Sequence, residues 1–316
     1  RLETDTSKTS SMTSSVVNNP KWSWQLIRAG TLKLDGGGMF GIIPKALWQR
    51  SFTPDDRNRI TIAHNCLLLE RDGVRVLIES GSGDKFEPKL VEQYGLEGDC
   101  VRAAVEKKNI DPASINHAIV THLHFDHAGG LTSLDGSKSV PSFPNASVYV
   151  QQREWLDANE NNAVMTRTYL KENLDPLRDH LKMIDSPEPF NSNGVPHRNA
   201  RPRTRVSERT TEVLPGIKVF LVPGHTWGQQ AVMFNDDHGR TIVFTPDVMP
   251  TIGHVGAAYS IAYDVEPYTA MITKSWFLEE AAANDWLLAI DHEPNSPLVR
   301  VRPDGKGWYT LNPENP

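Results

Sequence analysis

Apolar residues fall into short runs separated by Gly-, Pro- and Asp-containing breaks, the pattern of strands joined by loops and occasional helices. From about Ile60, ITIAHNCLLLE and VRVLIESG flank RDG, which predicts a β-hairpin turning at Asp72-Gly73. The second strand runs out into a Gly/Ser loop, Glu79-Ser80-Gly81-Ser82-Gly83-Asp84. A helix is expected over residues 100–108 and a buried strand over 115–120, then a strand over 147–152 and a helix over 163–181, interrupted near Pro176. Strands are expected again at 217–222, 230–234, 241–245 and 286–290, with a helix over 267–284 before the last. Mixed strands and helices of this kind make an α/β chain.

Two stretches break the pattern. Residues 1–20, RLETDTSKTSSMTSSVVNNP, form a polar arm that cannot bury apolar area; if ordered, it is expected to lie on its own domain or on a neighbouring subunit, a hint of a homo-oligomer. Residues 21–316 read as a single domain carrying a long Pro/Arg-rich loop at 185–210, with Arg198, Arg201, Arg203, Arg205 and Arg209. A lid that recruits anionic substrates is one reading of that loop, and a solvated loop or subunit contact is the simpler one.

With 316 residues and 38% hydrophobic content the chain can bury a large core. A net charge of −6 argues against a nucleic-acid partner, which requires a basic face. No apolar run is long enough to span a membrane, so a soluble, cytoplasmic protein without a membrane partner is expected. Cys66 and Cys100 lie far apart, outside any C-x-x-C pair, and suggest neither a disulfide framework nor a thiolate metal site.

Candidate chemistry concentrates in THLHFDHAGG at 121–130. A buried strand emptying into this turn brings His122, His124, Asp126 and His127 together at its carboxyl end, where ligands of α/β sheets sit. Imidazole nitrogens and carboxylate oxygens suit a borderline cation such as zinc. Later predicted strands end in further ligand types: His225 after KVFLVPG, Asp247 after TIVFTP and His292 after WLLAID.

That order, THLHFDHAGG, PGHTWG, TPD and DHEP across about residues 60–295, resembles the metallo-β-lactamase superfamily of hydrolases. The resemblance implies an αββα sandwich of two mixed β-sheets flanked by helices, with two divalent metal ions at one edge. Zinc is the first expectation, and manganese, iron or cobalt suit the same ligands. It further implies that His122, His124 and His225 bind one ion, Asp126, His127 and His292 the other, and that Asp247 bridges them. A hydroxide between the ions would attack the substrate, with Asp126 orienting it and carrying a proton to the leaving group. HNCLLLERDGVRVLIESGSGDKF, FPNASVYVQQREW and DVMPTIGHV look like the branch containing methyl parathion hydrolase and N-acyl homoserine lactonases, which implies a small-molecule lactone, ester or phosphotriester substrate. A thioesterase or β-lactamase is the alternative among hydrolases; outside them stand a mononuclear iron persulfide dioxygenase and a non-catalytic metal-binding protein. Candidate substrate contacts are Phe125, between two ligands; Trp227, where many relatives have proline; and His254, Tyr259 and Tyr263, shortly after Asp247.

Overall fold

The computed structural model describes residues 20–160, 167–190 and 204–314. Strands β1 (Lys21–Asp35), β2 (Arg59–Arg71), β3 (Val74–Ile78), β4 (His117–Ile119), β5 (Thr132–Asp135), β6 (Lys138–Pro141), β7 (Ser147–Gln151) and β8 (Leu181–Ile184) occupy the first half. Of these, β5 and β6 form a separate hairpin, and the others build one sheet in the order β1-β2-β3-β4-β7-β8. The second sheet runs in chain order through β9 (Thr211–Leu214), β10 (Ile217–Leu221), β11 (Gln230–Asp236), β12 (Thr241–Thr245), β13 (Leu287–Ile290), β14 (Leu298–Pro303) and β15 (Tyr309–Pro313). Both sheets mix parallel and antiparallel pairs. They are joined where Lys21 and Trp22 pair with Asn235 and Asp236 of β11.

Strand alternation divides the apolar residues between two faces, which explains why the central strands read as nearly continuous apolar runs. On β2, Leu67 and Leu69 face the other sheet and meet Val219, Val232, Phe234 and Phe244. Their neighbours Cys66 and Leu68 point outward, where the helix Val101–Glu106 covers them with Val101, Ala104 and Val105. On β10, Val219 points inward, while Phe220 packs outward against Trp276 and Phe277 of the helix Pro267–Ala283. The layers are helix, sheet, sheet, helix, as the sequence led us to expect.

Two parts of the sequence reading need correction. The longest strand, β1, was not anticipated, because a bulge at Gly30 shifts its register between Arg28 and Thr31 and inverts the alternation: Ile27 and Ala29 are buried before it, Leu32 after it. The helix expected over 163–181 is instead a short helix Lys171–Leu174, a 3-10 segment Asp175–His180 and the strand β8, with residues 163–166 outside the described part. Pairing of Leu181 to Ile184 with β7 outweighs the helical spacing of the leucines. A helix, Gln152–Glu160, follows β7 directly. The arm at 1–19 and, within the long loop, residues 191–203 with Arg198, Arg201 and Arg203 lie outside the described residues. Arg205 pairs with Glu280 at 2.9 Å.

Candidate metal centre

The motif turn leaving β4 is held by hydrogen bonds from three directions. Thr121 N–H donates to Glu79 Oε1 at 2.5 Å, Gln230 N–H donates to Thr121 O at 3.0 Å, and Leu123 N–H donates to Glu154 Oε1 at 2.9 Å. His124 precedes the one-turn helix Phe125–Ala128, which aims Asp126 and His127 inward. Gly129 and Gly130 then pass so close to the Gly/Ser loop that a Cβ on either would sit 2.2 Å from Ser82 O or 2.1 Å from Ser80 O. Opposite, the His292 loop is stitched to β2: Ala63 N–H donates to His292 O and Asn65 N–H to Asp291 O.

These loops bring the predicted ligands together. His124 Nδ1 lies 3.2 Å from His122 Nε2 and 3.0 Å from His225 Nε2. His127 Nε2 lies 3.2 Å from His292 Nε2, and Asp126 is 3.8 Å from each of those two nitrogens. Asp247 stands between the groups, with Oδ2 3.2 Å from His225 and 3.5 Å from His127, and Oδ1 3.3 Å from His292. All are buried.

The donor set fits divalent cations. His225 Nδ1–H faces Asp264 Oδ1 at 3.0 Å, and His292 Nδ1–H donates to the Ala63 carbonyl at 2.8 Å. His127 Nδ1 stands 3.0 Å from Asp291 Oδ2 and 3.3 Å from Glu79 Oε2. With the outer nitrogen of His225 and of His292 committed as a donor, the inner nitrogen presents a lone pair. Two inner nitrogens facing each other at 3.2 Å, as in His127 and His292, repel unless a proton or a cation lies between them. Atoms tetrahedrally arranged about 2.0–2.1 Å from one zinc would stand about 3.3–3.4 Å apart, close to the spacings here.

From the protein groups alone, burial and then the neighbouring histidines hold His122 and His124 well below the usual imidazole range. Burial also opposes charge on His127, His225 and His292, yet nearby carboxylates win and raise all three. Burial would raise Asp247, and His292, His225 and His127 instead hold it down. Glu79, with φ of 69°, is pushed up to about 7 by burial, against its bonds to His127.

A cavity of about 370 Å³ opens onto His124, Asp126, His225, Asp247 and His292. Leu34, Met39, Ile62 and Ile261 supply apolar wall, and Arg167 and Thr168 stand on it as polar groups. Phe125 lines it, held by the rings of Tyr94 at 5.2 Å and Phe86 at 5.6 Å. Tyr263 also lines it, and Gly38 makes room for it: a Cβ there would meet Tyr263 Oη at 2.3 Å.

Three expected substrate contacts lie elsewhere. His254 is fully buried, bonded to Thr251 Oγ1 and Met39 O at 2.7 Å each and stacked on Phe40, and burial lowers it to about 3. It therefore positions Met39 as a neutral ring. Tyr259 packs edge-on against Phe40, and its carbonyl accepts from the buried Lys274. Trp227 lies under the Arg153 guanidinium.

The sequence reading missed Glu79, Glu154, Asp264 and Asp291, which bond the ligands or their loops. Asp291 was adjacent to a proposed ligand and Glu79 ended a strand, as ligands do; Glu154 and Asp264 carried no local signal.

The chain resembles known proteins in both sequence and fold. It is 25% identical over 197 residues to N-acyl homoserine lactonase AiiA of Bacillus thuringiensis subsp. kurstaki, a match covering 59% of this chain and 64% of that relative, so less than two thirds of its length. A probable metal-dependent hydrolase from Staphylococcus aureus superposes with a TM-score of 0.75 at 25% identity, covering 95% of this chain and all of that one. AidC, a dizinc quorum-quenching lactonase, shares the fold at 15% identity with a TM-score of 0.69, covering 95% and 96%. The profile of the metallo-beta-lactamase superfamily matches residues 60–292, and the motif order, the sandwich and the converging ligands agree with it: the chain belongs to that superfamily.

Proposed function

We propose that the protein hydrolyses a small ester-like bond, with a lactone as the first substrate class, followed by carboxylic esters and phosphotriesters. The observation carrying this reading is the convergence of imidazoles and carboxylates on one end of a cavity whose remaining wall is largely apolar. His122, His124 and His225 would hold one divalent cation, Asp126, His127 and His292 a second, with Asp247 shared. When bound, such ions supply Lewis acidity and lower the pKa of water to about 7.

The chain's own groups do the rest. Asp126 opens onto the cavity and is placed to take a proton from the attacking water and hand it to the leaving oxygen. Leu34, Met39, Ile62, Phe125 and Ile261 take the apolar part of the substrate and exclude water. The resemblance to N-acyl homoserine lactonases supports placing lactones first.

The test is elemental analysis of untagged protein together with a panel of lactones, aryl esters, thioesters and phosphotriesters. Nearly two zinc ions per chain, with lactone or ester turnover lost to a chelator, is the expected result. One iron per chain, oxygen consumption with a persulfide and no hydrolysis would overturn it.

A further inference from the structure

Glu154 lies on the helix Gln152–Glu160, outside every motif, yet it is fully buried and touches two loops of the centre. Its Oε1 accepts from Leu123 N–H at 2.9 Å and from Tyr169 Oη at 3.0 Å, and its Oε2 accepts from Thr226 Oγ1 at 2.6 Å. Leu123 sits between His122 and His124, and Thr226 follows His225. Tyr169 carries the bond outward, its ring centroid 5.0 Å from that of His124. The helix cannot drift from the second loop, because Gly228 packs directly on it: a Cβ at Gly228 would stand 2.3 Å from Glu154 N.

We infer that Glu154 is a positioning residue for the three-histidine half of the centre, fixing His122, His124 and His225 relative to one another without touching a cation. An inference about metal binding, it rests on the function proposed above. The selectivity follows from the bonding: these hydrogen bonds end on the loops of that trio, whereas His127 and His292 are oriented by Glu79, Asp291 and the Ala63 carbonyl. A neutral apolar side chain of similar length would strand buried donors in both loops, leaving the spacing of the trio unsupported. Glutamine would retain much of the geometry, since its carbonyl accepts and its amide can donate to the Thr226 hydroxyl.

The test is a titration of chelator-stripped wild type, Glu154→Met, Glu154→Gln and Thr226→Val with Co²⁺ alone, followed by visible absorption. His124→Ala, which lacks a ligand of the trio, provides the reference spectrum of the other site. Wild type is expected to bind two equivalents. In Glu154→Met, one dissociation constant rises about 10- to 100-fold, the size expected for losing an outer partner of a ligand. The other stays unchanged, and the remaining spectrum matches that of His124→Ala. Glu154→Gln recovers most of the loss. Thr226→Val, which removes a single bond, weakens the same equivalent by a smaller factor and keeps the test open if Glu154→Met does not fold. Unchanged constants in Thr226→Val and Glu154→Met, equal weakening of both equivalents, or a loss in Glu154→Gln as large as in Glu154→Met would overturn the inference. No cobalt binding by wild type would instead overturn the metal reading itself, and the inference with it.

Discussion

Gly130→Ala tests whether the close approach of two loops holds the centre together. The added methyl would lie 2.1 Å from Ser80 O and 2.7 Å from Val101 Cγ1. Cβ contacts under 3.0 Å essentially never occur, so the loops must separate by at least 3.0 − 2.1 = 0.9 Å. The obstacle is a backbone carbonyl, so no side-chain rotation relieves it. Ser80 follows Glu79, whose carboxylate faces His127 and holds Thr121 N–H, and Gly130 N–H donates to Gly81 O. Overpacking a rigid site costs about 1–3 kcal/mol. Urea denaturation of the chelator-stripped protein should therefore show stability reduced by about that amount, with the slope unchanged. Metal loading should fall as well, because the displaced loop carries the support of His127. Stability within about 0.5 kcal/mol of wild type, the usual range for neutral surface changes, together with normal metal content would refute the packing argument.

The other predictions test separate parts of the site. Asp264 accepts His225 Nδ1–H on one oxygen and Ile261 N–H on the other; Asp264→Asn leaves one donor facing an amide NH₂, and competition with a chromophoric chelator should show metal affinity lowered about 10- to 100-fold. Burial lowers Lys274 to about 7, although Asp264 favours its charge. Between that value and its ordinary 10.5 the unfolded chain binds a proton that the folded chain does not, so stability gains from rising pH across this window, by up to about 1.4 kcal/mol per unit. The stability of wild type minus that of Lys274→Met should therefore increase from pH 7 to pH 10, and parallel curves would refute the assignment. Gly38→Ala crowds Tyr263, a 45% exposed side chain free to swing aside. Denaturation should be nearly unchanged, while KM for bulky substrates rises; equal KM values would show that Tyr263 does not shape the cavity.

What could be read from the sequence follows the range of the forces involved. Strands β2, β3 and β10 to β13 were evident because burial on one or both faces writes itself into the apolar pattern. The candidate ligands could be singled out because they follow such strands, at the edge where the loops cluster. Strand β1 was hidden by one bulge, which the Thr31–Glu97 backbone bonds hold from a distance. β8 was hidden because its pairing with β7 bridges about thirty residues and leaves a helical leucine spacing intact. His254 looked like a pocket residue by its nearness in sequence to Asp247, but Met39, more than two hundred residues away, decides where its ring is spent.

Charge explains why the supports had to come from afar. Asp126 and Asp247 lie in the centre, and Glu79, Asp264 and Asp291 lie directly behind its imidazoles, all buried. Buried carboxylates are costly unless paired. In the protein alone, these carboxylates raise the proton affinity of His127, His225 and His292. Divalent cations would take over that pairing from the inner side, while Asp264 and Asp291 face Nδ1 of His225 and His127 and so favour Nε2 of those two rings as the nitrogen turned inward. The outer carboxylates serve both conditions: they compensate the protonated imidazoles and orient the neutral ones. A ligand's role is tied to its place after a strand, but a group acting through that ligand need only reach its far nitrogen or its loop. Asp264 does so from beyond the 3-10 turn at Ile252–His254, and Glu154 from a helix after β7. Their positions are set by the assembled sandwich, so only the assembled sandwich reveals them.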